Sequence, residues 1–135
     1  MTTRTFLDSG VLIDAFRGTP ALAAPVIHIL NDPDRVFLTS ELVRLEVLPK
    51  ALFHRHAVEA RFYQQFLDSV EAEARITSVT VEQAFSLAVR WNLNAIDALH
   101  VAAALQIGAD EFITTERPTS PLVRVTALTV TSVRR

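Results

Sequence analysis

The stretch Asn94-Ala95-Ile96-Asp97-Ala98-Leu99-His100-Val101-Ala102-Ala103-Ala104-Leu105-Gln106-Ile107-Gly108, followed closely by Glu111-Phe112-Ile113-Thr114, decides the fold. From Ala95 to Ile107 it is almost wholly apolar and rich in alanine, the composition of a helix whose small side chains allow close packing on a sheet. Gly108 supplies a C-terminal stop. Glu111 to Thr114 then reads as a strand. A buried helix feeding a short apolar strand is a building step of an α/β layer structure.

The same alternation runs back to the start of the chain. Thr3 to Leu7 reads as a strand ending in the turn Asp8-Ser9-Gly10, with Ser9 suited to start a helix through Val11 to Phe16. Gly18-Thr19-Pro20 punctuates, and Ala21 to Leu30 forms a second helix closed by Asn31-Asp32-Pro33. Arg35 to Thr39 is a second strand. Ser40 caps a helix carrying Leu42, Val43, Leu45, Val47 and Leu48, expected to kink or begin a new turn at Pro49. Between Ala57 and Glu73, the residues Val58, Phe62, Phe66 and Val70 recur every fourth position, an amphipathic helix. Arg75 to Val79 is expected as a third strand, and Thr80 with Gln83 as a capping box opening a helix that ends near Trp91. Asn92 to Asn94 is a loop, and Leu122 to Val133 is expected to add an edge strand. The order predicts one α/β domain over residues 1–135, with a mainly parallel central sheet flanked by helices. In such folds, sites form beyond the carboxyl ends of the strands.

Composition agrees with one compact domain. The 135 residues are 50% hydrophobic and 21% charged, enough apolar material for a core. The formal charge of −2 lacks the basic excess common in nucleic-acid binders. The absence of cysteine excludes a disulfide scaffold, a thiolate zinc site and a cysteine nucleophile. Asp8 and Asp14 interrupt the first apolar stretch, and runs such as Val101 to Leu105 fall far short of a membrane span, so a soluble, cytoplasmic protein is expected.

Acids at strand ends and helix starts are the candidates for chemistry. Asp8 follows the first strand, Asp97 opens the alanine-rich helix, and Glu116 lies just beyond Phe112-Ile113-Thr114. Glu46 sits in the apolar sequence Val43-Arg44-Leu45-Glu46-Val47-Leu48, where a carboxylate needs solvent or a partner. Each has a plain structural reading: a cap or turn for Asp8 and Asp97, a solvated position for Glu46 and Glu116. Converged, the four would repel one another and require a cation. Oxygen ligands without cysteine or a paired-histidine motif favour Mg2+ or Mn2+ over zinc, and phosphodiester hydrolysis is the matching chemistry.

The segment Phe6-Leu7-Asp8-Ser9-Gly10-Val11-Leu12-Ile13-Asp14, with Glu46-Val47 downstream, resembles the opening of a PIN domain. Asn94 to Ala104 resembles that family's helix with its acid, and Phe112-Ile113-Thr114-Thr115-Glu116 its final acidic motif, with Glu where the family more often has Asp. The resemblance spans almost the whole chain and implies a small α/β metal-dependent nuclease acting mostly on RNA. At this size it is similar to VapC, the toxin of bacterial toxin–antitoxin pairs. It implies that Asp8, Glu46, Asp97 and Glu116 line a site for Mg2+ or Mn2+, with Ser9 and Thr114 supporting them by hydrogen bonds. It also implies an RNA substrate, a VapB-like antitoxin partner and a homodimer.

The remaining polar candidates read as structural. Asp14 is expected on a helix surface or in a salt bridge, with a role behind the site as the alternative, and His100 as a packing residue not assigned to metal. Trp91 is expected in the core, with stacking on a base as the alternative, and Phe53-His54-Arg55-His56 is a locally basic segment that either touches RNA or is solvated, solvation being favoured. A haloacid-dehalogenase-type phosphatase would need a second acid where Gly10 stands. A response-regulator receiver would need a downstream lysine, and the sole lysine is Lys50. The alternative from another class is a PIN-like module that binds protein or RNA without cleaving. Once the four acids are set aside, eleven acids face thirteen bases, twelve of them arginine, so the total charge does not argue against RNA.

Overall fold

The computed structural model describes residues 1–134. β1 (Thr3–Leu7) leads into α1 (Ser9–Arg17) and α2 (Pro20–Leu30), then β2 (Arg35–Ser40), α3 (Glu41–Phe53) and α4 (Ala57–Ser69). β3 (Ala72–Ala74), α5 (Ser78–Trp91), α6 (Ala95–Gln106), β4 (Glu111–Thr114), a 3-10 turn at Pro121–Arg124 and β5 (Thr129–Ser132) complete the order. The strands form one sheet in the order β3-β2-β1-β4-β5, and every pairing is parallel. β1 is central, and the direction of winding reverses between β1 and β4, so a crevice opens beyond the carboxyl ends of those two strands.

The core lies between this sheet and its helices. Phe6, Leu7, Leu38, Phe112 and Ile113 are fully buried strand residues, and the rings of Phe6 and Phe112 stack at 5.4 Å. α6 buries Ala98 and the run Val101-Ala102-Ala103-Ala104. These small side chains bring the backbone of α6 close to the strands, which places its first turn at the crevice. Trp91 packs on the core, with the Arg90 guanidinium 5.3 Å from its ring centre.

Four boundaries differ from the sequence reading. The third strand is Ala72–Ala74, not Arg75 to Val79, because Leu38, Thr39 and Ser40 of β2 pair with Ala72, Glu73 and Ala74. α4 accordingly stops at Ser69, where Val70 turns extended at ψ 153°. The capping box is Thr77 with Thr80 rather than Thr80 with Gln83: each threonine side chain bonds the other's backbone N–H, so α5 begins at Ser78. In the tail, only Thr129–Ser132 is strand.

Pro49 does not break α3, which runs through it to Phe53. The N-cap of α1 is Asp8, with Ser9 as the first helical residue. Among the described residues, no single helix is long and apolar enough to cross a membrane.

Candidate active site

Asp8 is fixed from both sides. Its backbone N–H bonds Ile113 O across the β1–β4 seam at 3.1 Å. Its Oδ1 accepts from Val11 N at 3.2 Å as the helix cap, and its Oδ2 accepts from Thr114 Oγ1 at 2.7 Å. The residue is only 8% exposed. Burial pushes its carboxyl above the ordinary aspartate value and Glu116 adds to that, against the opposing pull of Thr114, His100 and the Val11 N–H.

Asp97 stands in the first turn of α6. Asn94 caps that helix through Oδ1 to Asp97 N at 2.9 Å, and its Nδ2 donates to Asp97 Oδ2 at 3.1 Å. The Asp97 carboxyl is raised to about 6, first by burial and then by the charges of Glu116 and Asp8. Glu116 follows β4, its N–H bonded to Thr114 Oγ1 at 3.0 Å and its carbonyl accepting from Ser132 Oγ of β5. Thr114 therefore couples two of the acids through one hydroxyl.

Asp8, Asp97 and Glu116 thus act on one another electrostatically at the carboxyl ends of β1 and β4. Gly10 leaves room for the Thr115 side chain against the start of α1: a Cβ there would lie 2.5 Å from Thr115 Oγ1. Glu46 stands to one side on α3. Its Oε1 accepts from Ser9 Oγ at 2.5 Å and lies 2.7 Å from His100 Nε2. The hydrogen bond from His100 holds its carboxyl below the ordinary glutamate value, more than burial raises it, with Ser9 helping.

His100 is buried and set against Phe6, as a packing residue should be, but it also grips Glu46. Its spacing of three from Asp97 was the available signal. Asn94 closes the expected loop but is also the N-cap of α6. No sequence pattern pairs it with Asp97 beyond the general preference of Asn for caps. Asp14 is half-buried at the end of α1 and pairs with Arg134 at 2.7 Å, away from the other acids' hydrogen bonds.

Among the described residues, no three His, Asp or Glu side chains stand close enough together to hold a metal ion between them. Like charges repel, and drawing these carboxylates to a common centre takes a cation. As a donor set they fit one: all are hard oxygen ligands of the kind Mg2+ and Mn2+ accept.

A family profile described as the PIN domain matches residues 5–117 of the chain. No curated protein sequence matches it. Among solved structures, VapBC2 from Rickettsia felis, bound to a DNA fragment from its promoter, aligns with a TM-score of 0.71 at 13% identity, covering 96% of this chain and 98% of that one. VapBC-1 from nontypeable Haemophilus influenzae aligns at 0.67 with 15% identity, covering 96% and 98%. VapC20 from Mycobacterium tuberculosis, described as a sarcin-ricin loop cleaving toxin, aligns at 0.63 with 19% identity, covering 80% and 86%. At these identities the likeness is one of fold.

Proposed function

The chain belongs to the PIN domain family, and from that premise we propose that it is a metal-dependent endoribonuclease, the VapC-like toxin of a type II toxin–antitoxin pair. One observation carries the proposal. Asp8 and Glu116 are tied to one hydroxyl, Thr114 Oγ1, at the switch point of a parallel sheet, with Asp97 within their electrostatic reach and Glu46 held to one side. A cation there would offset the mutual repulsion that raises the Asp8 and Asp97 carboxyls.

Asp8, Glu46, Asp97 and Glu116 would hold Mg2+ or Mn2+. When bound, such an ion polarises a phosphodiester, lowers the pKa of an attacking water and neutralises the leaving oxygen. The protein's own part is positioning. Thr114 and the Val11 N–H orient Asp8, Asn94 orients Asp97, and Ser9 with His100 orients Glu46. No side chain is assigned as a covalent nucleophile.

A VapB-like antitoxin partner is supported by the fold-level likeness to VapBC complexes. A homodimer suits the exposed apolar residues Val81, Phe85 and Val89 along α5. A cytoplasmic location follows from the same reading. Purified protein freed of any antitoxin is expected to cleave RNA with Mg2+ or Mn2+, and to stop with EDTA or Asp8→Asn. Cleavage unchanged in Asp8→Asn would overturn the site. No cleavage of any RNA would favour a non-catalytic binding module.

A further inference from the structure

A cleft of about 440 Å3 opens beside Glu46, between α1, α3 and α4. Glu46 and Lys50 line it one turn apart on the same face of α3, about 6 Å along the axis, and His54, the C-cap of that helix, follows four residues on. The stripe therefore leads outward from a candidate ligand to two basic side chains.

The charge balance in the cleft is uneven. Its buried acid, Glu59, is already satisfied by both contacts from Arg17 Nε, at 2.8 and 3.0 Å, and by the Tyr63 hydroxyl at 2.6 Å. Glu46 would be the natural partner of Lys50 one turn away, but His100 and Ser9 hold its Oε1 instead. Lys50 makes no ion pair among the described residues, and its ammonium is left to the cleft.

The outer end carries aromatic rings. Phe53 is 82% exposed, a costly position for a large apolar side chain in water. His54 meets it edge-on at 5.0 Å and stacks with His56 at 5.7 Å. Arg55 between them has φ 57°, a left-handed residue that turns the chain sharply enough to bring both histidines to the same mouth. His56 is anchored by Arg17 Nη2 at 3.1 Å. A cation beside a cleft, followed by exposed rings, is the arrangement that grips a single strand by phosphate and base.

We propose that the Lys50 cleft and the Phe53-His54-Arg55-His56 turn form the track for single-stranded RNA leading away from the acid site, with a backbone phosphate at Lys50 and a base on the aromatic mouth. The inference rests on the nuclease reading for its substrate class. It assigns to the basic turn a role in binding rather than mere solvation.

The test measures binding and chemistry separately. In an Asp8→Asn background with EDTA present, chosen to suppress cleavage, affinity for a fluorescein-labelled single-stranded RNA is read by anisotropy over a salt series. Phe53→Ala is expected to weaken binding about 5- to 100-fold. Lys50→Ala should weaken it and flatten the slope of log affinity against log salt by about 0.7. With Asp8 intact, Phe53→Ala should hydrolyse bis(p-nitrophenyl) phosphate in Mn2+ at the wild-type rate, because Phe53 lies outside the cleft that Glu46 lines and a small diester does not reach it. Unchanged RNA affinity and slope in both variants would overturn the track while leaving the nuclease reading in place. Retained RNA affinity with loss of antitoxin binding would overturn it in favour of a protein occupant. If wild type cleaves neither RNA nor the small diester, the nuclease reading fails, and the anisotropy data still decide the track.

Discussion

His100 Nε2 stands 2.7 Å from Glu46 Oε1, so a buried imidazole on α6 fixes a carboxylate on α3 across 54 residues of sequence. His100 Nδ1 is buried with no hydrogen-bond partner. The contact through Nε2 is therefore the ring's one hydrogen bond, and Glu46 is its partner. His100→Leu removes the donor, and Glu46 should return toward its ordinary pKa. Mn2+ affinity, measured by calorimetry, is expected to fall about 10- to 100-fold. His100→Gln, which can still present an N–H near the same point, should recover much of that loss. Equal affinities in Leu and Gln variants would reduce His100 to packing.

Asp97 sets a pH dependence. Its carboxyl is raised to about 6 in the folded protein, from an ordinary value of 3.8. Between those values the folded state binds the proton more tightly, so this group favours folding at low pH. The contribution fades as pH rises through 6. With Asp97 partly exposed, the loss is about 1–2 kcal/mol. Urea unfolding of the metal-free protein should show it between pH 4 and 7, and Asp97→Asn should flatten that part of the profile. Mn2+ binding near pH 5.5 should also release protons, read as a dependence of the calorimetric heat on buffer ionisation enthalpy.

The layer structure was legible because α6 and the strand after it have unmistakable composition and because β1, β2 and β3 each lead into helix. What the sequence concealed was competition between neighbours. Ser78 and Val79 have strand character, yet Thr77 and Thr80 capture them for α5, and the ladder to β2 takes Ala72 to Ala74 instead. The candidate acids were visible from their places at strand and helix ends. Their partners His100 and Asn94 were less so, since a hydrogen bond between α6 and α3 depends on how closely an alanine face lets one helix approach. The aromatic mouth depends on a left-handed Arg55, a conformation that no propensity assigns to arginine.

Glu59 is a second buried acid, and its role is structural. Burial would raise its carboxyl, but hydrogen bonds from Tyr63 and Arg17 and the nearby charges outweigh it, leaving the value below the ordinary one. Burial, with the same contact adding to it, pushes the Tyr63 phenol well up. A depressed carboxylate adds stability above its unfolded pKa, lost as pH falls through the folded value. Glu59→Gln should cost about 2–3 kcal/mol at pH 7 and less near pH 3, by urea unfolding. A variant equally destabilised at both pH values would show packing, not charge, to be the cause.

Thr114 Oγ1 donates to Asp8 Oδ2 at 2.7 Å and accepts from Glu116 N at 3.0 Å, joining the first and last acids of the chain through one buried hydroxyl. Thr114→Val keeps the shape and removes both bonds. Asp8, already raised by burial, then loses the contact that most opposes the shift, and its pKa should climb further. Stability should fall by about 1–3 kcal/mol, the cost of leaving buried polar groups unpaired. The acid limb of the pH–rate profile for RNA cleavage should move to higher pH, because Asp8 must be ionised to bind a cation. Thr114→Ser restores the hydroxyl without the methyl group and should return the limb to its wild-type position, even if a small packing loss persists. A limb that stays in place in Thr114→Val would show that Asp8 ionisation does not govern the reaction.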